Sequence, residues 1–186
     1  MKKLLLPMMI MATMFACKSP ETKTAEAAST EDKESGSFVS IDKTATKFQG
    51  LLDAAMKNDT ALYRAVFADS LVLMDGMAEN VDTLNNLKPT PGGLDALIKG
   101  DNNLHNLYSN IVITTKPGSV KTFTFADGRV LSGYWGIWTG KGKFTNTVAR
   151  VPLHMIAWWE GDKIVKFYRL FDPASLQREI AASQKK

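Results

Sequence analysis

Beyond residue 37 the apolar positions of the chain recur first with a helical and then with a strand period. Ile41, Ala45, Phe48, Leu52 and Ala55 fall three or four residues apart, and Leu51 and Met56 widen the stripe. This spacing predicts a helix, with Ser40 as its N-cap. Asn58-Asp59 breaks it, and Asp59 is placed to cap a short second helix carrying Leu62, Val66 and Phe67. Leu71 to Met74 reads as a short buried strand ending at Asp75-Gly76. A polar connection with two prolines follows, from Gly76 to Pro91, and connections of that length are functional or mobile. Leu94, Leu97, Ile98, Leu104 and Leu107 then mark a third helix, with Gly100 as a weak point in its middle.

After Ser109 the pattern turns to strands, expected near 111–115, 120–126, 129–139, 145–159 and 163–171. Asp127-Gly128 is a strong hairpin signal, and Lys141-Gly142 and Gly161-Asp162 are weaker ones. Asp172-Pro173 supplies a capping carboxylate and an N1 proline for a terminal helix carrying Leu176 and Ile180. Helices first and a chain of hairpins afterwards predict an α+β fold, with helices packed on one face of an antiparallel sheet.

The first residues follow a different pattern. Lys2 and Lys3 precede an apolar stretch, Leu4 to Phe15, broken only by Pro7 and Thr13. It is short for a bilayer span and reads as a removed secretory signal over residues 1–16. Ala16 then precedes Cys17, the single cysteine of the chain. An unpaired thiol in an exported protein is a liability that lipidation removes. Met14-Phe15-Ala16-Cys17 resembles the bacterial lipobox, though Met14 and Phe15 depart from its usual Leu and small residue. The resemblance implies an exported lipoprotein of the bacterial envelope, held at the membrane through Cys17. The alternative is an ordinary signal peptide beside an incidental cysteine. Residues 18–37 contain no aromatic or branched aliphatic side chain, so residues 17–37 are expected to form a disordered tether and 38–186 one folded domain.

Charge narrows the partners. Without Lys2 and Lys3, the 23 basic residues become 21 against 19 acidic ones. With no basic run apart from Lys185-Lys186, a nucleic-acid-binding face is not expected. His105 and His154 are far apart in sequence and lack a carboxylate at ligand spacing, so neither a metal nor another cofactor is expected, and both read as surface or interface residues.

Several strings resemble the NTF2-like superfamily, in particular its SnoaL-like and ketosteroid-isomerase-like branch. They are the run from Asn58-Asp59 through Phe67-Ala68-Asp69, then Val72 to Asp75, and the closing run from Trp159 to Asp172-Pro173. The resemblance covers nearly all of 41–180. It implies a strongly curved antiparallel sheet wrapped around helices, a cone with an apolar pocket, and pairing into homodimers through the outer sheet face. Tyr134, Trp138, His154 and Trp158 would suit that face.

The same resemblance places Asp75 where ketosteroid isomerases hold the carboxylate that moves a proton. A carboxylate at the mouth of an apolar cavity gains base strength by desolvation. Asp75-Gly76 fits a plain turn equally well. The family's oxyanion donors would fall at Leu51 and Met155, neither of which donates a useful hydrogen bond, so the isomerase reaction itself is not expected. Alternation puts Met155, Ala157 and Trp159 on one face, and Phe167, Arg169 and Phe171 on another. By the resemblance, both faces look into the pocket. Arg169 would then pair with Asp75, hold an anionic substrate, or form a structural salt bridge. Three readings follow: a pocket binding a small apolar or amphipathic molecule; an enzyme with Asp75 as base, assisted by Arg169 or Tyr134; and an interaction module using the outer sheet face.

Overall fold

A computed structural model describes residues 34–75, 81–83 and 86–185. The expected signal peptide, Cys17 and most of the expected tether lie outside them, as does much of the Gly76–Pro91 connection. Strand β1 (Gly36–Val39) precedes helices α1 (Lys43–Lys57) and α2 (Thr60–Val66), and β2 (Phe67–Asp75) follows directly. Two short strands, β3 (Val81–Thr83) and β4 (Asn86–Leu87), pair with each other ahead of α3 (Gly93–Leu107). Strands β5 (Tyr108–Ile113), β6 (Val120–Phe125), β7 (Val130–Gly142), β8 (Val148–Glu160) and β9 (Lys163–Phe171) come next, then α4 (Ala174–Ser183). Among the described residues no helix is long and apolar enough to cross a membrane.

The main sheet is curved and unclosed, in the order β1-β6-β7-β8-β9-β2. The first half of β7 pairs with β6 and its second half with β5, so these two lie end to end along one edge of the long strand. β2 joins β9 in parallel and closes the far side. The helices pack into the curve, and Phe48, Leu51 and Leu52 of α1 meet Tyr63, Leu97, Tyr134, Ala157, Ile164 and Phe167 in one buried cluster. The predicted α+β cone is therefore the observed architecture.

Local chemistry sets the element ends. The α1 cap is Asp42, not Ser40: its side chain accepts from Ala45 N at 2.6 Å and from the Thr122 hydroxyl at 2.8 Å. Asp42 therefore both caps the helix and ties its start to β6. Asn58 takes the left-handed conformation that ends α1, and Asp59 caps α2 as expected. Phe67 belongs to β2 and not to the helix, because its ring turns inward between Tyr63 and Phe167. The Gly36-Ser37 pair is part of the sheet, not of the tether: Gly36 faces Phe125 and Ser37 faces Thr124 in register. Composition hid this because ladder hydrogen bonds use only the backbone, and at Gly36 a side chain would collide with Thr124 O.

Candidate functional site

Alternation along β9 turns Phe167, Arg169 and Phe171 toward the helices. Arg169 is in register with Asp75 on β2 and with Met155 on β8, so the three stand in one row across the sheet. Its Nη2 donates to Asp75 Oδ2 at 2.5 Å, and its Nη1 to Asp101 Oδ1 at 2.6 Å. Asp101 comes from α3, and its second oxygen accepts from the Tyr63 hydroxyl at 2.7 Å. Gly100 precedes it where the guanidinium lies against the helix, and an added Cβ would be in ordinary contact at 3.6 Å from Nη2. The residue that looked like a weak point lies against the guanidinium, and α3 runs through it unbroken.

All three charged side chains are nearly buried. Burial opposes the charge on Arg169, but Asp101 and Asp75 outweigh it and hold its pKa above the ordinary value. Burial, reinforced by Asp101, also raises the Tyr63 pKa, so its hydroxyl remains the donor in that bond. Two carboxylates therefore share one guanidinium, and a phenol satisfies one of them from behind.

Beside this cluster lies a cavity of about 200 Å³. Its wall is chiefly apolar, with Leu104 of α3, Ile111 and Ile113 of β5, Trp138 of β7, Leu153 and Met155 of β8 and Phe171 of β9. Asp75, Asp101, Arg169 and His105 supply the polar part. His105 Nε2 sits 2.7 Å from Ala55 O, and a carbonyl only accepts, so this nitrogen carries the hydrogen. His105 is thus a cavity residue, not the surface or interface residue expected, because it shares the inward face of α3 with Asp101 one turn earlier.

Of the residues expected in the pocket, Met155, Phe171, Asp75 and Arg169 reach the cavity wall. Ala157, Trp159 and Phe167 do not. They face inward as alternation requires, but deeper in the cone, where the helices close on the sheet. Phe167 packs between Phe48 and Phe67, and Trp159 donates through Nε1 to Ser132 Oγ at 3.0 Å. Tyr134 and Trp138 also face inward, against the expectation of an outer face, since they stand opposite Met155 and Val151 in register. The Tyr134 ring covers Gly136 and the Trp138 ring reaches over Gly140, so each bulky ring rests on a bare stretch of its own strand. The Tyr134 hydroxyl donates to Thr114 O at 2.8 Å, away from the cavity wall, so Tyr134 is not available to assist Asp75. The outer face keeps Trp135, stacked on His154 at 4.6 Å, and Trp158, stacked on Phe125 at 5.5 Å.

Leu51 is buried in the core, and Met155 lines the cavity. The Tyr108 hydroxyl at the wall donates to Ser175 O at 2.9 Å. Each nearby phenol therefore already has an acceptor, and no group of side chains suited to a metal ion occurs among the described residues. Sequence reasoning missed Asp101 and Glu179. Asp101 was hidden as a polar residue within a helical run. Glu179 of α4 accepts from Phe144 N at 2.6 Å and from the Thr145 hydroxyl at 2.6 Å, which locks the terminal helix to the β7–β8 turn.

Neither a family model nor a curated protein matches the sequence. Solved structures match the fold. A loop-truncation variant of IdmH aligns over 74% of this chain and 99% of its own, at 13% identity and a TM-score of 0.54. An NTF2-like protein from Burkholderia pseudomallei aligns over 75% and 98%, at 14% identity and 0.52. A protein with a ketosteroid isomerase-like fold from Catenulispora acidiphila, in complex with trimethylamine, aligns over 72% and 90%, at 16% identity and 0.51. The fold is that of NTF2-like and SnoaL-like proteins.

Proposed function

We propose that this NTF2-like domain is a small-molecule-binding module carried by an envelope lipoprotein, tethered to the membrane through Cys17. The observation that carries the binding reading is the cavity, whose apolar wall ends on charged groups that already pair with one another. Such a wall offers burial to an apolar body and orients one polar group. Its volume of about 200 Å³ lies between the 150 Å³ or so that holds benzene and the ~300 Å³ at which drug-sized pockets begin. The occupant is a single ring or a short chain with one polar end. The trimethylamine bound by the Catenulispora protein is of this size class.

Titration of the purified domain with indole and with hexanol, followed by NMR of the methionine methyls, tests this. Met155 and its neighbours are expected to shift, and Met155→Trp to remove the response. A wild-type protein silent to both probes, or a Met155→Trp variant that still binds them, overturns the reading. Lipidation has its own test, since the intact mass of the chain extracted from membranes shows whether Cys17 carries acyl groups.

A second reading has one specific observation in its favour: Asp75 lies on the cavity wall of a fold shared by a Jannaschia protein that carries the description SnoaL-like polyketide cyclase. In that reading Asp75 is a general base and Arg169 orients the substrate. Asp75→Asn separates the two, because it leaves affinity within about threefold for a binder and abolishes turnover for an enzyme. The Arg169 hydrogen bond already occupies one Asp75 oxygen, which favours binding.

A further inference from the structure

The polar cluster and the cavity account for the inside of the cone, but not for the apolar side chains at the corner where β1 leads into α1. Phe38 is 57% exposed, Val39 41% and Ile41 77%, three large apolar residues within four positions. β1 is an edge strand bonded only to β6 among the described residues. The Phe38 ring continues onto Phe123 at 6.1 Å, and Phe123 onto Phe125 at 4.5 Å. An open edge flanked by apolar side chains is a liability unless something covers it.

We propose that this corner docks on the anionic surface of the bilayer that holds the lipid anchor, a proposal that rests on the lipoprotein reading. Two observations select the bilayer as occupant. First, the described chain begins at Glu34, about 17 residues beyond Cys17, and enters the fold through β1. An anchor at Cys17 is therefore joined to the domain at its β1 end. Second, the corner is basic. Lys121 Nζ donates to Ser40 Oγ at 2.5 Å, directly between Val39 and Ile41, and exposed Lys116 opens the adjoining turn, whose Gly118 lies against both Lys121 and Ser40. The acids along this edge are Asp42, Asp162, and Glu34 and Asp127, which both pair with Arg129 beside Phe125. Asp42 is engaged as the α1 cap, and Asp162 is shared between Lys43 and Lys47 at 3.7 and 3.5 Å. Along the whole edge five cations, Lys43, Lys47, Lys116, Lys121 and Arg129, stand against four carboxylates, and the positive excess sits at Lys116 and Lys121 beside the apolar tip. Anionic headgroups attract such a corner while Phe38 and Ile41 enter the acyl boundary.

Docking there would fix the orientation of the cone on the membrane. The experiment uses the chain from residue 17 with Cys17→Ser, so that no lipid assists binding, and cosedimentation with phosphatidylglycerol–phosphatidylethanolamine vesicles. Binding is expected at low salt, weaker at high salt and weaker on phosphatidylcholine vesicles. Phe38→Glu and Ile41→Glu are each expected to lower the partition constant about tenfold or more, since burial of one large apolar side chain is worth that factor. Lys116→Glu, on an exposed turn, is expected to lower it severalfold on anionic vesicles only. Absence of binding by the Cys17→Ser chain overturns the proposal, as does binding that Ile41→Glu leaves unchanged. A dimer in sedimentation velocity that Ile41→Glu splits also overturns it, and gives the edge to a second copy. An unmodified Cys17 in the cell-extracted chain refutes the lipid anchor, whichever way the vesicles behave.

Discussion

The two ends of the cone are built from the same strands and behave differently. At the deep end the inward side chains of β8 and β9 are Ala157, Trp159 and Phe167, and the helices close on them until no space remains. At the open end the next inward positions are Met155, Arg169 and Phe171, and there a cavity persists. Alternation is the same at both ends, so strand pattern is not what separates them. The difference is charge. Asp101 of α3 and Asp75 of β2 grip Arg169 from opposite sides, and this buried bridge fixes how close the helix comes to the sheet. Aromatic rings fill the deep end by collapse, whereas the ion cluster props the open end apart.

The strongest way to break that contrast is to remove the prop. Arg169→Met leaves two buried carboxylates facing each other and is expected to cost about 3–5 kcal/mol in urea unfolding. Adding Asp75→Asn and Asp101→Asn is expected to recover most of the loss, because the uncompensated charge goes with them. A triple variant as unstable as Arg169→Met would show that the guanidinium contributes by packing and not by charge balance.

A smaller effect sharpens the same contrast between two phenylalanines on one strand face. Phe167→Ala is expected to cost about 3–5 kcal/mol, since it empties a space between Phe48 and Phe67. Phe171→Ala enlarges a cavity that already exists and is expected to cost about 2 kcal/mol less. Equal losses in parallel melts would mean that the open end is as tightly packed as the deep one.

The deep end was the more legible in sequence, for a physical reason. Period-two alternation and hairpin signals such as Asp127-Gly128 report backbone geometry, and they placed the face of Met155, Ala157 and Trp159 correctly. They do not report depth along the cone, so wall and core residues were merged. Pattern also failed at Tyr134 and Trp138, where glycines on both sides of β7 left the inward parity without an apolar partner in sequence. Only the register with β8 resolves it. The polar partners were the least visible. Asp101 and Glu179 fall three or four residues from Leu97, Leu104 and Leu176, on the apolar stripes of their helices, but spacing does not name a partner, and each is buried because a group distant in sequence satisfies it.

Glu179 tests whether the terminal helix, whose Leu176 borders the cavity, depends on a charge as the open end does. Burial raises its pKa, but the Thr145 hydroxyl and the amides of Phe144 and Thr145 outweigh burial and hold the pKa below the ordinary value. A depressed carboxylate stabilises the fold above its unfolded value, near 4.5, and the contribution is lost as pH falls through the lower folded value. Glu179→Gln is expected to cost about 2 kcal/mol at neutral pH, and the gap to wild type is expected to shrink below pH 4.5 or so. A gap that stays constant down to acid pH would assign the effect to shape alone.

The smallest stability change is expected where the functional change is largest. Met155 stands in the row with Asp75 and Arg169 and projects into the cavity, so Met155→Trp places a ring in space that is already open. Overpacking a filled core costs about 1–3 kcal/mol, because neighbouring side chains leave their rotamers. Here the cavity takes up the added ring, and the unfolding free energy is expected to stay within about 1 kcal/mol of wild type while indole and hexanol binding disappears. The reference is Ala157→Leu, one alternation step deeper, where Ala157 is fully buried and the added atoms have nowhere to go. If Met155→Trp destabilises as much as Ala157→Leu, the open end is no emptier than the deep end, and the cone has no room for a ligand beside the Asp75–Arg169–Asp101 bridge.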